Sequence, residues 1–341
     1  MIANLMTQLG SHQNAKLDED LLRHMILNGL RNIRKKFAAD YGEMVIACDS
    51  SSWRRGAFPY YKANRRKSRE ASDMDWTTVF DTFAKVREEL KAFFPYRVIH
   101  VDNAEADDVI GVLVHKFGVE FGNAEKIMIV SGDKDFKQLQ CYNNVEQYDP
   151  TRKRMLSCTD ADEFLREHII RGDTSDGIPN ILSKDDCLVT GTRQGIITQK
   201  RLDYFMTTPF EQLKDEEQRN WKRNELLISL NNIPSEIKDR IIQEYDSEAG
   251  KDRNQLFNYF IKHKLKFLME NISEFSHWCH LAIAFMPCVA IGAAIGAYST
   301  ENGTAVGAPR VIAATLPAAR LANALRTARP AAPARAAPPA P

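Results

Sequence analysis

The hydrophobic positions along the chain alternate between two periods. Leu21, Leu22, Met25, Ile26, Leu30, Ile33 and Phe37 recur at three- and four-residue steps, the stripe of an amphipathic helix. Met44–Cys48 is a short apolar run and predicts a buried strand. Trp76–Phe94 returns to helical spacing, and Pro95 closes it. Arg97–Val101 and Lys126–Val130 predict two further strands, with a helix over Ala104–Phe117 between them. Such alternation implies an α/β fold, a mostly parallel sheet flanked by helices. Beyond about Asp160 the pattern is mostly helical, punctuated by Pro and Gly.

Composition adds a second boundary. Every lysine of the 341-residue chain lies at or before Lys266, and beyond Phe275 the residues turn to Ala, Gly, Pro and Arg. Two readings are open for this tail: a disordered Pro/Ala segment, or translation of foreign or out-of-frame GC-rich DNA, which is favoured. Leu281–Tyr298 is uncharged and about as long as a membrane span. Pro287 and pairs of small residues interrupt it and no lysines flank it, so no membrane anchor is expected. The expected organisation is an α/β domain over 1–160, a helical domain over 161–275 and a low-complexity tail over 276–341.

Formal net charge is +1, so the distribution of charge has to decide whether nucleic acid is a partner. The six cysteines form no CxxC pair, which argues against a zinc site or a disulfide framework and suits a reducing cytosol. The first ten residues carry no secretory pattern, and a cytoplasmic, monomeric protein is expected.

Each predicted strand runs into acid. Met44–Cys48 leads to Asp49, Arg97–Val101 to Asp102, Glu105, Asp107 and Asp108, and Lys126–Val130 to Asp133 and Asp135. Sites in open α/β sheets form beyond the carboxyl ends of the strands. Carboxylates crowded on one rim repel unless cations neutralise them. Oxygen ligands without His or Cys point to Mg²⁺ or Mn²⁺, and a pair of such ions suits phosphodiester hydrolysis. Taken singly, each acid is more often a helix cap or a favourable first-turn charge. Three acidic strand ends in succession are not explained by caps. Between Trp53 and Arg69, seven positive residues occur without an acid, interleaved by Phe58, Tyr60 and Tyr61. That mixture suits single-stranded nucleic acid, with charges on phosphates and rings on bases; the plainer reading is a solvated charged loop.

"NAEADDV" at Asn103–Val109, "SGDKDF" at Ser131–Phe136, "RGDTSDGIPNI" at Arg171–Ile181 and "WRRGAFPYYKANRRK" at Trp53–Lys67 together resemble the motifs of the 5′-nuclease, or flap-endonuclease, family, its phage members above all, over about Ile2–Phe275. The resemblance implies a PIN-like fold with a helical arch over about 53–75 and a C-terminal duplex-binding region. It implies two Mg²⁺ ions, with Mn²⁺ able to substitute. Asp49, Glu105, Asp107, Asp133, Asp135 and Asp176 match metal ligands, while Asp108 and Asp173 match acids acting directly or through water. Lys62 and Arg65 match residues that steer the scissile phosphate and stabilise its charge. Arg54, Arg55, Tyr60, Tyr61, Arg66 and Lys67 are expected to contact nucleic acid, and Gly177 and Ile178 to open a helix–turn–helix element that grips duplex backbone, often with K⁺. "NILSKDD" departs from the usual second glycine turn, which weakens the case for a K⁺ site. Lys222, Arg223 and Lys262–Lys266 read as solvated surface charges.

The implied activity is 5′→3′ exonuclease and flap endonuclease, with RNA-primer removal in phage replication inside an infected bacterium. The implied substrates are DNA flaps, nicked duplexes and RNA–DNA hybrids. A single-strand-binding protein and a sliding clamp are candidate partners, and no small-molecule substrate is expected. The family's first strand and first catalytic Asp are expected to fall before Met1, leaving a weakly active, marginally stable chain. The alternatives are a catalytically inactive binder of branched DNA, which a flap-cleavage assay with Mn²⁺ separates, and a PIN-type ribonuclease, which the basic arch and the Gly-Ile-Pro turn oppose.

Overall fold

The computed structural model describes residues 18–63, 65, 75–121, 125–249 and 254–275. The strand and Asp expected before Met1, the tail over 276–341 and the stretch Leu281–Tyr298 lie outside them. Among the described residues, no helix is long and apolar enough to cross a membrane.

The first helix, α1 (Glu19–Tyr41), starts where Asp18 accepts the Leu21 N–H and carries Glu19 and Asp20 in its first turn, where acids suit the helix dipole. Its buried face carries Leu22, Ile26, Leu27 and Leu30. It leads to β1 (Val45–Ala47) and a single turn of helix, α2 (Arg54–Ala57). Capped by Asp75, α3 (Trp76–Phe93) leads to β2 (Arg97–Ile99), which pairs parallel with β1 from Val45↔Arg97 to Ala47↔Ile99. Then follow α4 (Ala106–Phe121) and β3 (Ile127–Val130). A 3₁₀ segment over Lys134–Cys141 precedes β4 (Val145–Asp149), parallel to β3, and β5 (Arg154–Leu156), antiparallel to β4.

The parallel pairs match the expected sheet, with two differences. Among the described residues the hydrogen bonding forms two sheets, β1–β2 and β3–β4–β5. The last two strands were not expected, because Glu146 and Gln147 interrupt the apolar run. Gln147 is fully buried nonetheless, since its amide finds carbonyl partners.

The remaining chain is helical, as expected: α5 (Ala161–Arg171), α6 (Cys187–Thr190), α7 (Gln199–Thr207), α8 (Asp215–Ile228), α9 (Ser235–Ser247), α10 (Leu256–Lys262) and α11 (Lys266–Glu270). Helices from both halves share cores. Leu22, Ile26, Val86 and Phe94 pack with Tyr259, Phe260 and Phe275, while Ile99, Val109 and Ile129 pack with Leu230, Ile237 and Ile241.

Phe275 is fully buried, its ring 5.8 Å from that of Phe94 and 5.2 Å from that of Phe260. Truncating a buried Phe to Ala removes transfer energy and leaves a cavity, so Phe275→Ala is expected to cost about 3–5 kcal/mol in a denaturant melt. A loss below about 1 kcal/mol would show that the body does not depend on its last turn.

Candidate metal-dependent active site

A carboxylate from beyond β2 and one from the turn after α5 meet at one buried lysine. The Nζ of Lys62 lies 2.6 Å from Glu105 Oε1 and 3.3 Å from Asp176 Oδ2. Burial by itself would lower the pKa of this ammonium; the Asp176 and Glu105 carboxylates outweigh it and raise it. The Tyr61 hydroxyl lies 2.9 Å from Glu105 Oε2 and 3.2 Å from Asp176 Oδ2. Arg65 reaches Asp176 Oδ1 at 2.5 Å from a half-exposed position.

The backbone fixes this meeting. Lys62 has φ 54° and donates its N–H to Asp176 O at 2.7 Å. Gly177, at φ 76°, lies so close to the basic segment that a Cβ there would sit 2.6 Å from Tyr60 O. The turn needs glycine both for its left-handed conformation and for that approach.

Asp107, Asp133 and Asp49 form the middle of the rim. Asp107 is pushed up to about 8, first by burial and next by the Asp133 carboxylate, with Asp49 and Glu105 adding to it. Asp49 is exposed and accepts the Ala106 N–H at 2.8 Å, and Asp133 accepts the Asp135 N–H at 3.0 Å. Both therefore cap a helical start as well as standing on the rim. Gln147 holds the Asp133 loop by donating to Ser131 O at 2.9 Å and Asp133 O at 2.6 Å.

A third group comprises Asp135, His168 and Asp173, whose ligand atoms lie within 4.8 Å of one another. The His168 ring stands 3.2 Å from Asp173 Oδ2 and 3.5 Å from Asp135 Oδ1, and Lys134 Nζ lies 2.9 Å from Asp173 Oδ2. Burial would raise Asp173; hydrogen bonds from His168, Ser175 and Lys134 outweigh it and hold the carboxyl far below the usual range. Asp135 is pushed up to about 6 by burial, against the opposing pull of His168. Sequence reading missed His168, Lys134 and Gln147. A lone helical His five residues before Asp173 carries no signal of its own, and Lys134 stands inside the acidic motif as if it were a spacer.

Several expected site residues sit differently. Asp108 is fully buried, accepts the Glu105 N–H at 2.9 Å and pairs with Arg54 at 2.8 Å, so it caps α4 inside the fold. Arg54 is buried as well; it also reaches Glu105 at 3.3 Å and donates to Leu227 O at 2.8 Å. Tyr61 and Ile178 are buried, and the Ile178 N–H donates to Asp173 O. Arg55 is exposed and Tyr60 half-buried. Arg66 and Lys67, with the rest of the expected arch over 66–74, fall outside the described residues.

The donor set fits divalent cations. It consists mainly of carboxylate oxygens; Asp135 Oδ1 is buried without a hydrogen-bond partner, and Asp107 is destabilised as an anion. A consequence can be measured without any substrate. A raised carboxyl pKa means that the folded state holds the proton more tightly than the unfolded one. The stability from Asp107 is then fully present below its ordinary value of 3.8 and is lost as pH rises towards about 8. Asp135 acts in the same direction below about 6. In EDTA the melting temperature is expected to fall between pH 5 and 8, and Asp107→Asn to flatten that fall and raise the value at pH 8. A wild-type melting temperature that climbs over this range would contradict it.

Acidic strand ends on a PIN-like α/β body, met by a basic segment, define a phosphodiester hydrolase. Residues 11–168 match the family model for the 5′-3′ exonuclease N-terminal resolvase-like domain, and residues 160–275 match that for the T4 RNase H C-terminal region. The chain belongs to the 5′-3′ exonuclease and flap-endonuclease family. It is 34% identical over 273 residues to Ribonuclease H of Enterobacteria phage T4, a match covering 76% of this chain and 88% of that protein. It is 28% identical over 188 residues to Flap endonuclease Xni of Shewanella pealeana, covering 52% of this chain and 68% of that one. Among solved structures, the bacteriophage T5 flap endonuclease, in a pseudo-enzyme–product complex with DNA and metal ions, aligns with a TM-score of 0.51 at 16% identity. That alignment covers 73% of this chain and 97% of the T5 protein, and the likeness is one of fold.

Proposed function

We propose that the chain is a divalent-metal-dependent 5′→3′ exonuclease and flap endonuclease that removes RNA primers and 5′ flaps in phage DNA replication. The observation that carries this reading is that Lys62, in a basic segment, is held between Glu105, beyond β2, and Asp176, in the turn after α5, with Asp107, Asp133 and Asp49 crowded beside Glu105. Asp49, Glu105, Asp107, Asp133, Asp135, Asp173 and Asp176 would hold Mg²⁺, with Mn²⁺ as a substitute. When bound, such cations supply charge neutralisation and Lewis acidity to phosphodiester hydrolysis.

The chain's own groups do the rest. Lys62 and Arg65 present positive charge beside those acids, where a scissile phosphate enters, and stabilise the charge that develops on it. Arg55 and Tyr60, with Arg66 and Lys67, follow the single strand. Arg54 and Tyr61 act from below, fixing Glu105. The turn from Gly177 onward meets duplex backbone. Flaps, nicked duplexes and RNA–DNA hybrids are the proposed substrates. The test is cleavage of a labelled 5′-flap with Mg²⁺, with Mn²⁺ and with EDTA. Cleavage near the flap junction in either metal and none in EDTA is expected. Tight flap binding without cleavage in either metal would identify an inactive branched-DNA binder instead.

A further inference from the structure

Arg223, which reads as a solvated charge in the sequence, is buried in α8, its side chain 8% exposed. Its guanidinium lies inside the Gly177–Asp185 loop. Nη2 donates to Pro179 O at 2.9 Å and Asn180 O at 3.2 Å, and Nη1 to Ser183 O at 3.3 Å. Nη1 also donates to Asp185 Oδ1 at 2.5 Å and to Asn220 Oδ1 at 3.3 Å, while Nε donates to Asn224 Oδ1 at 2.9 Å. Asn220 and Asn224, fully buried on the same helix face, donate to Ile181 O, Ser183 O, Ile169 O and Pro179 O. Asp185 balances the charge and is shared with Arg219.

Carbonyl oxygens turned inward on a buried point are the donor set that a hard monovalent cation takes. Here a fixed guanidinium stands among them, and its planar fork reaches separate carbonyls that a single ion would have to draw together. The geometry points to Arg223 as a built-in cation: it holds the Gly177–Asp185 loop in its duplex-binding shape and makes that shape independent of K⁺. This rests on the proposal that the loop meets duplex backbone. Arg223 is thus a positioning residue. It touches no nucleic acid itself, and its removal opens a carbonyl-lined space that K⁺ can enter.

Two readouts on the full chain in EDTA test this, each in KCl and in choline chloride at equal ionic strength. One is the melting temperature of the protein alone; the other is affinity for a blunt DNA duplex by fluorescence anisotropy. For the wild type, both values are expected to be the same in the two salts. Arg223→Gln is expected to melt lower in choline, to lose about tenfold to a hundredfold in affinity there, and to recover much of both losses in KCl. Arg223→Lys keeps the charge without the fork and is read in the same way if the Gln variant does not fold; its losses are expected to be smaller and likewise relieved by KCl. A wild type that melts higher or binds tighter in KCl than in choline overturns the inference. So do variants that lose nothing, or whose losses KCl leaves unchanged. If the wild type binds no duplex in either salt, the duplex reading of the loop fails, while the melting temperatures still decide the role of Arg223.

Discussion

Asp107→Ala and Asp135→Ala are each expected to abolish flap cleavage while leaving flap binding intact. Both carboxyls are disfavoured as anions, Asp107 by burial and Asp133, Asp135 by burial despite His168. A fold keeps such groups charged only when cations share the site. Loss of one cation ligand removes several kcal/mol of charge stabilisation, and each 1.36 kcal/mol is a factor of ten, so the single-turnover rate should fall by about 10³ or more. Binding should hold or tighten, because removing an acid near a phosphate cannot weaken electrostatic attraction. The thermal stability of metal-free Asp107→Ala should rise, since a strained anion has gone. Single-turnover cleavage on a labelled flap, with anisotropy for affinity, measures both effects. Cleavage retained within about tenfold in the two variants would remove these residues from the reaction.

Lys62→Ala should give the second largest effect, on rate rather than affinity. An ammonium placed where phosphate charge develops acts as a transition-state donor, and losing one such donor costs on the order of 10²–10³ in the single-turnover rate. Lys62 also separates Glu105 from Asp176. Without it those acids lose the cation they share and keep only Arg54 and Arg65, one apiece, so the metal-free variant should melt lower than wild type. Added Mg²⁺ should narrow that gap, because bound cations replace the missing charge. Normal cleavage of bound flap with collapsed affinity would make Lys62 a docking group instead.

Much of this protein was legible before any tertiary structure. Helical stripes and short apolar runs located α1, β1, α3, β2, α4 and β3 within a few residues. The acids at Asp49, Asp107, Asp133 and Asp135 announced the rim, because strand direction and residue chemistry are local properties that survive into the fold.

Tertiary structure decided which partner each charge meets. Arg54 finds Asp108, 54 positions on, and Leu227 O, 173 positions on, which turns an expected surface contact into an internal tie. Lys62 comes to stand between Glu105 and Asp176 through its own left-handed backbone and the close approach of Gly177 to Tyr60. Gln147 is buried in a strand that its polarity argued against, because Ser131 and Asp133 supply carbonyls there. His168 joins the acids and Arg223 enters the Pro179–Ser183 carbonyls only once α5 and α8 pack against the turn that follows α5. Residue type sets the cost of burying a charge. Whether that cost is met depends on acceptors brought from far along the chain, and no local pattern in the sequence records them.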